Sequence, residues 1–186
     1  MRCVGADQDG TGTLAFNAVS ALPDTTSFGN NAVWIGSTAR SLCQDFYNKC
    51  SAKNAIKTVK KGTCPNITDD FRNNPVTYNN ETVFLLSERE YGLDRYSPIS
   101  TENSKTFNAE CTQGYNAAYS YFTDNSKRVV YRGDANGNPT SNCAYQWERS
   151  RHYTYSNYVC YVYSDGSADY VSYNYSCGLV PAFVIG

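Results

Sequence analysis

YVCYVYSDGSADYVSY, residues 158–173, is the stretch on which the reading of this chain turns. Val and Tyr dominate its first six residues, and these types favour a pleated, half-buried strand. SDGS at 164–167 is turn chemistry, with Gly166 free to take a positive φ. Residues 168–173 then return in the same style. The segment predicts a β-hairpin. A strand alternates its side chains between two faces. Cys160 and Val162 are expected inward, with Tyr161 and Tyr163 outward. On the return strand Asp169, Val171 and Tyr173 share one side, and Tyr170 and Ser172 the other.

The flanks, RSRHYTYSN (149–157) and SYNYSC (172–177), extend the same composition. Nine of the 17 tyrosines lie between Tyr145 and Tyr175, too dense for an ordinary polar sheet surface. Tyrosine offers wide contact at low rotamer cost, and Ser and Asn add adaptable hydrogen bonds. Antibody binding loops use this mixture. The expected contact set is Arg151, His152, Tyr153, Tyr155, Asn157, Tyr158, Tyr161, Tyr163, Asp169, Tyr170, Tyr173, Asn174 and Tyr175. The same letters have a genetic reading. Tyr, Ser, Asp, His, Thr and Cys are all reached from an Asn codon by changing its adenines. Residues of other kinds in this stretch, Trp147, Arg149, Val159, Val162 and Gly166, fall at framework positions.

Upstream, GSTARSLCQDFYNKC (36–50) has apolar residues at helical spacing, with Ser37 as N-cap. Thr82 to Leu86 reads as a buried strand. Ser87 and Glu90 then fit a capping box, and Gly92 can stop the helix it opens. A third, weaker helical pattern covers Tyr115 to Phe122. KGTCPNITDDFRNNPVTYNNE (61–81) and RGDANGNPTSN (132–142) read as loops. Leu179 to Ile185 is a closing apolar strand whose Pro181 suits a sheet edge or a bend. The sum is an α+β domain with few helices, short antiparallel strands and much loop.

At 186 residues and net charge −1 the chain fits one domain, able to bury its own core. Its basic residues are scattered, which argues against nucleic acid as a partner. No apolar run would insert into a bilayer, and MRCVGADQDG has no secretory pattern. Eight cysteines without a C-x-x-C pair make zinc or thioredoxin-type chemistry a poor fit. We read most as reduced and buried, against a disulfide framework as the alternative. Sequons at Asn66, Asn80 and Asn174 matter only in a glycosylating pathway. ADQDGTGT lacks the full ligand pattern of a calcium loop, and it and DANGN (134–138) are expected to be turns. No metal and no cofactor is expected. His152 is the single histidine and lies in a loop-like stretch, so catalysis is not expected either. Glu88 with Glu90, and Asp69 with Asp70, read as helix-end or loop solvation. Trp34 and Trp147 are assigned to the core.

Several motifs together resemble a domain family of bacteria and their phages that closes with W-L-R-S, S-D-G-S and G-V-x-P-x-F. Here these are WERS (147–150), SDGS (164–167) and GLVPAF (178–183). VWIGSTARSL (33–42), VFLLSERE (83–90) and YFTDN (121–125) match in the same order. Glu148 departs from the family's apolar residue. Some members look like variable proteins of diversity-generating retroelements with a C-type lectin fold. The resemblance implies a single C-type-lectin-like domain over 1–186: scaffold 1–146, variable ligand-binding segment 147–178, closing strand 179–186. It implies paired terminal strands and a varied face that binds a protein or cell-surface target. Phe183 joins Trp34 as framework. The lectin calcium motifs are absent. Two alternatives stand beside this: an adhesive phage tail or fibre domain, and an enzyme of the formylglycine-generating type, for which Cys160 and Cys177 lie in the corresponding region.

Overall fold

The computed structural model describes residues 1–7, 13–23, 25–63, 77–93, 118–152 and 155–186. Strand β1 (Arg2–Ala6) turns back on β2 (Leu14–Asn17). Asp7 N donates to Thr13 O at 2.8 Å; the turn expected at ADQDGTGT falls on residues 8–12, outside the described residues. The last strand, β12 (Ala182–Ile185), lies antiparallel to β2. Its other edge pairs with β3 (Ile56–Lys57) and β6 (Val83–Phe84). The closing strand is therefore interior rather than an edge. Pro181 is tolerated because the strand begins one residue after it. Its carbonyl still accepts from Ala18 N at 2.9 Å.

Helix α1 (Thr38–Lys49) forms where its spacing places it, and Ser37 Oγ accepts from Arg40 N at 3.0 Å. It buries Ala39 and Cys43. The capping box also forms: Ser87 N donates to Glu90 Oε2 and Glu90 N to Ser87 Oγ. It closes a single turn and not a helix, since Gly92 at φ +68° reverses the chain at once. The helix expected at Tyr115–Phe122 is not formed over 118–122, which is extended chain and one turn. A four-residue helix, α2 (Asn125–Arg128), follows.

Two stretches expected as loops contribute paired strands, the first through its described ends, since residues 64–76 lie outside the described residues. β4 (Val59–Thr63) pairs with β5 (Thr77–Glu81), and β7 (Tyr131–Gly133) with β8 (Pro139–Cys143). β8 is almost wholly exposed, so it carries no apolar alternation to read. DANGN is the turn between β7 and β8, with Asp134 Oδ1 accepting from Asn136 N and Asn138 N at 2.8 Å each.

The Tyr-rich hairpin is present. β10 (Tyr158–Val162) pairs antiparallel with β11 (Ala168–Ser172), Tyr161 opposite Asp169 and Cys160 opposite Tyr170. Gly166 sits at φ +84°, and a Cβ there would collide with the Asn125 backbone carbonyl. β9 (Gln146–Arg151) covers the other edge, so β10 is the centre of a three-stranded sheet. Trp147 fastens this sheet to the rest: its indole donates to Thr26 O at 2.8 Å, and Phe28 packs edge-on at 5.6 Å. Trp34 and Trp147 are both core residues.

The fold corrects the α+β, C-type-lectin-like expectation. Strand makes up 39% of the structure and helix 13%, so the helices form no layer. The strands form several small antiparallel sheets instead. Helical spacing was strong in one segment alone, and the other two candidates end in single turns.

A buried ion network joins these sheets. Lys61 Nζ on β4 lies 2.6 Å from Asp7 Oδ1 and 2.9 Å from Glu90 Oε1. Tyr119 OH lies 3.0 Å from the same ammonium. Arg149 of β9 pairs with the other Glu90 oxygen and donates to Leu85 O at 2.7 Å. Burial alone would raise the Glu90 carboxyl, but the charges of Arg149 and Lys61 hold it at about 2. Removing one partner of a buried, hydrogen-bonded group of charges costs about 3–5 kcal/mol. We expect Glu90→Gln to lower stability by about 3 kcal/mol in urea denaturation. A change under about 1 kcal/mol would show that the network is dispensable.

Candidate functional site

The three-stranded sheet carries two ring clusters, on opposite faces. Tyr161 pairs across the ladder with Trp147 and with Asp169, and directly paired residues point the same way. Around Tyr161 stand Tyr145 at 6.0 Å, Tyr163 at 6.2 Å and Trp147 at 6.5 Å between ring centroids. Its hydroxyl donates to Asp169 Oδ2 at 3.1 Å. Burial and the Asp169 charge push this phenol well above its ordinary range. Tyr145 and Tyr163 stack at 4.8 Å at the rim, where Tyr163 is exposed.

The second cluster uses the other face of β10 and β11. Tyr170 opposes Cys160, and Tyr158 lies two residues before Cys160. Tyr158 and Tyr170 are 5.5 Å apart. Tyr155 meets Tyr158 edge-on at 5.4 Å and stacks on His152 at 4.8 Å. His152 lies 4.3 Å from Tyr170. Tyr155 is 48% exposed, while Tyr158 and Tyr170 are half-buried. The result is a shelf of phenol rings over one buried imidazole.

That imidazole is structural. His152 is 4% exposed, and its Nδ1 accepts from Tyr155 N at 3.1 Å. Burial, with the charge of Arg151 behind it, lowers its pKa to about 4. The ring is therefore neutral near pH 7, and the proton resides on Nε2.

The expected contact set divides accordingly. Tyr155, Asn157, Tyr163, Asn174 and Tyr175 are exposed. Tyr158, Asp169, Tyr170 and Tyr173 are half-buried, and Tyr173 leans on the core. Three assignments are corrected. Tyr161 is 8% exposed because β9 covers its face with Trp147. Arg151 is buried because β9 runs through it, opposite Val159. His152 is buried beneath Tyr155 and Tyr170. Tyr153 lies outside the described residues, as do Asp69 and Asp70. Of the expected framework, Trp34, Trp147, Arg149, Val162 and Gly166 are buried and Phe183 half-buried, stacked on Phe16 at 6.1 Å.

Sequence reasoning missed the buried carboxylates. Glu88, Glu90 and Glu148 are all 0% exposed, where surface solvation was expected for the first two. The capping box was the one available signal for Glu90. For Glu148 the signal was its departure from an apolar position. Burial, then the nearby charge of Glu88, raises the Glu148 carboxyl well above its ordinary range. The six described cysteines, Cys3, Cys43, Cys50, Cys143, Cys160 and Cys177, form no disulfide. Among the described residues no helix is long and apolar enough to cross a membrane.

The chain belongs to a family described as a domain of unknown function, DUF6273, whose model matches residues 16–186. The match takes in the ion network's Lys61, Glu90 and Arg149 and both ring clusters. No curated protein and no solved structure matches the chain.

Two measurements separate core rings from shelf rings. Tyr161→Ala should cost about 3 kcal/mol in urea denaturation, and Tyr155→Ala less than about 1 kcal/mol. Equal costs would overturn the division. His152 supplies a pH test. The unfolded imidazole takes a proton near pH 6.5, and the folded one resists until about pH 4. Stability should therefore fall as pH drops through that window. His152→Phe should show a shallower fall between pH 7 and 4. Identical pH profiles would show that His152 is not held neutral.

Proposed function

We propose that this protein is a binding module, not an enzyme, whose hydroxyl-rich aromatic surface recognises a protein or cell-surface target. The recognition set is Tyr155, Asn157, Tyr158 and Tyr170, with the exposed flank residues Asn174 and Tyr175 and with Tyr163, which stands at the edge of the sheet's other face. One observation carries this reading. The exposed and half-buried rings gather on one hairpin and its flanks, while Trp147, Val159, Val162 and Cys177 beneath them are sealed in the core. Such rings give large contact area with little entropy to lose, and nearby Ser and Asn adapt to a wet interface. Affinity would follow the antibody range of about 10⁻⁷–10⁻¹⁰ M.

The segment's codon logic extends the proposal. Tyr, Asn, Asp and Ser at the exposed and half-buried positions are related through adenine changes, and the buried framework residues Trp147, Val159, Val162 and Gly166 are not. We read the segment after Trp147 as diversified by adenine-directed mutagenesis of the kind used by diversity-generating retroelements. Substitutions at shelf positions leave the core untouched, which makes the surface a tolerable place for variation.

The gene supplies the test. Sequencing it across many isolates of one lineage should show changes confined to adenine positions in codons 147–178, with a near-identical template copy beside a reverse transcriptase gene. Changes spread evenly over scaffold and segment would contradict the diversification.

A further inference from the structure

Beside the aromatic shelf, at the Cys160 partner of Tyr170, lies a buried cluster that the binding reading does not use. Donor atoms of Glu88, Glu148 and Cys160 all lie within 4.8 Å of one another, and all three residues are buried. Glu148 is the unusual member. It is 0% exposed, and neither carboxyl oxygen has a hydrogen-bond partner among the described residues. A buried carboxylate left in that condition costs several kcal/mol unless a proton or a cation completes it.

The backbone aims these groups at one point. Register slips between β9 and β10: Val159 pairs with Arg151, but Tyr161 pairs with Trp147. Glu148, Arg149 and Ser150 therefore bulge opposite Cys160. Bulges of this kind re-aim side chains and recur beside functional sites. Glu88 is fixed to the same bulge, its N–H donating to Ser150 Oγ at 3.1 Å, while Arg149 N donates to Leu86 O at 3.1 Å. The donors thus come from backbone pinned on both sides.

We propose that Glu88, Glu148 and Cys160 form a structural site for a borderline divalent cation of the zinc type. Two carboxylates and a thiolate suit such an ion better than calcium or magnesium, which take oxygen donors alone. Zinc bonds of about 2.0 Å to oxygen and about 2.3 Å to sulfur place tetrahedral donors roughly 3.3–3.6 Å apart. Side-chain rotations of about one ångström close the present spacing to that. The Cys160 thiol and any carboxyl proton leave to solvent as the ion enters. Three anionic donors around a dication leave one negative charge, and Arg128 and Arg149 stand close enough to act electrostatically on Glu148. The ion would staple the turn after β6 to the β9–β10 pair, on the face of β10 that Cys160 shares with Tyr158 and Tyr170. This departs from the expectation of no metal.

The test uses the full chain, unfolded and refolded with cobalt(II), a spectroscopic substitute for zinc. One cobalt per chain should bind, with a thiolate-to-cobalt absorption band in the near ultraviolet that zinc abolishes. Cys160→Ser should remove the band, and Glu148→Gln should weaken binding at least tenfold. Cys143→Ser, at an exposed thiol, should leave the band unchanged. Glu148→Leu guards against a variant that fails to fold. It removes the buried charge, and its melting temperature should not respond to a chelator, whereas the wild type's should drop. No stoichiometric cobalt on the wild type, or a band that survives Cys160→Ser, would overturn the site. Neither result would touch the aromatic surface proposed for recognition.

Discussion

Glu90 is the point through which the structure is tied together. Its carboxylate receives Lys61 from β4, Arg149 from β9 and the Ser87 N–H of its own turn. Lys61 in turn reaches Asp7 beyond β1. Three sheets that already share one apolar core are thereby also locked to one buried anion. Isolated surface ion pairs contribute little. Here every charged group is buried, so each depends on the others for its solvation.

This lock explains how a mostly β chain with short strands holds a broad aromatic surface still. β9 is the intermediary. Arg149 anchors it inward, Trp147 packs it on Phe28, and its edge carries β10 and then β11 outward. The rings on this sheet accordingly fall into two populations. Tyr161 belongs to the scaffold with Trp147. Tyr155, Tyr158 and Tyr170 form the shelf, over a neutral His152 that packs without a charge to desolvate. A target would meet phenol rings already in place, so little ordering entropy remains to be lost on contact.

Local chemistry was legible in the sequence, and layering was not. The β10–β11 hairpin followed from alternation and from Gly166, and α1 followed from Ser37 and its apolar spacing. The resemblance implied paired terminal strands; β12 pairs instead with the second strand, β2, and β1 lies on the far side of it. What failed was the inference from alternation to exposure. Alternation says that Tyr161 and Cys160 point to opposite faces, but a central strand can have both faces covered, as β10 does. Arg151 and His152 looked like loop residues because polar letters mask a strand whose partner is remote. Glu88 looked like a helix-end residue because nothing local shows that the turn holding it is buried against β9, and Glu148 gave only its departure from an apolar position as a sign. The pairs β4–β5 and β7–β8 were hidden because their residues are largely polar: β8 lies exposed, and β4 buries Lys61 and Thr63 without an apolar alternation to read.

The claim that ties these parts together is that scaffold and shelf are energetically separable. A display library tests it most directly. One library would randomise Tyr155, Asn157, Tyr158, Tyr163, Tyr170, Asn174 and Tyr175, and a second the exposed α1 positions Thr38, Ser41, Asp45, Asn48 and Lys49, both selected against the same panel of proteins. The shelf library should yield many specific binders that melt within a few degrees of the parent, and the helix library few. Shelf variants that unfold, or binders arising equally from the two libraries, would contradict the account.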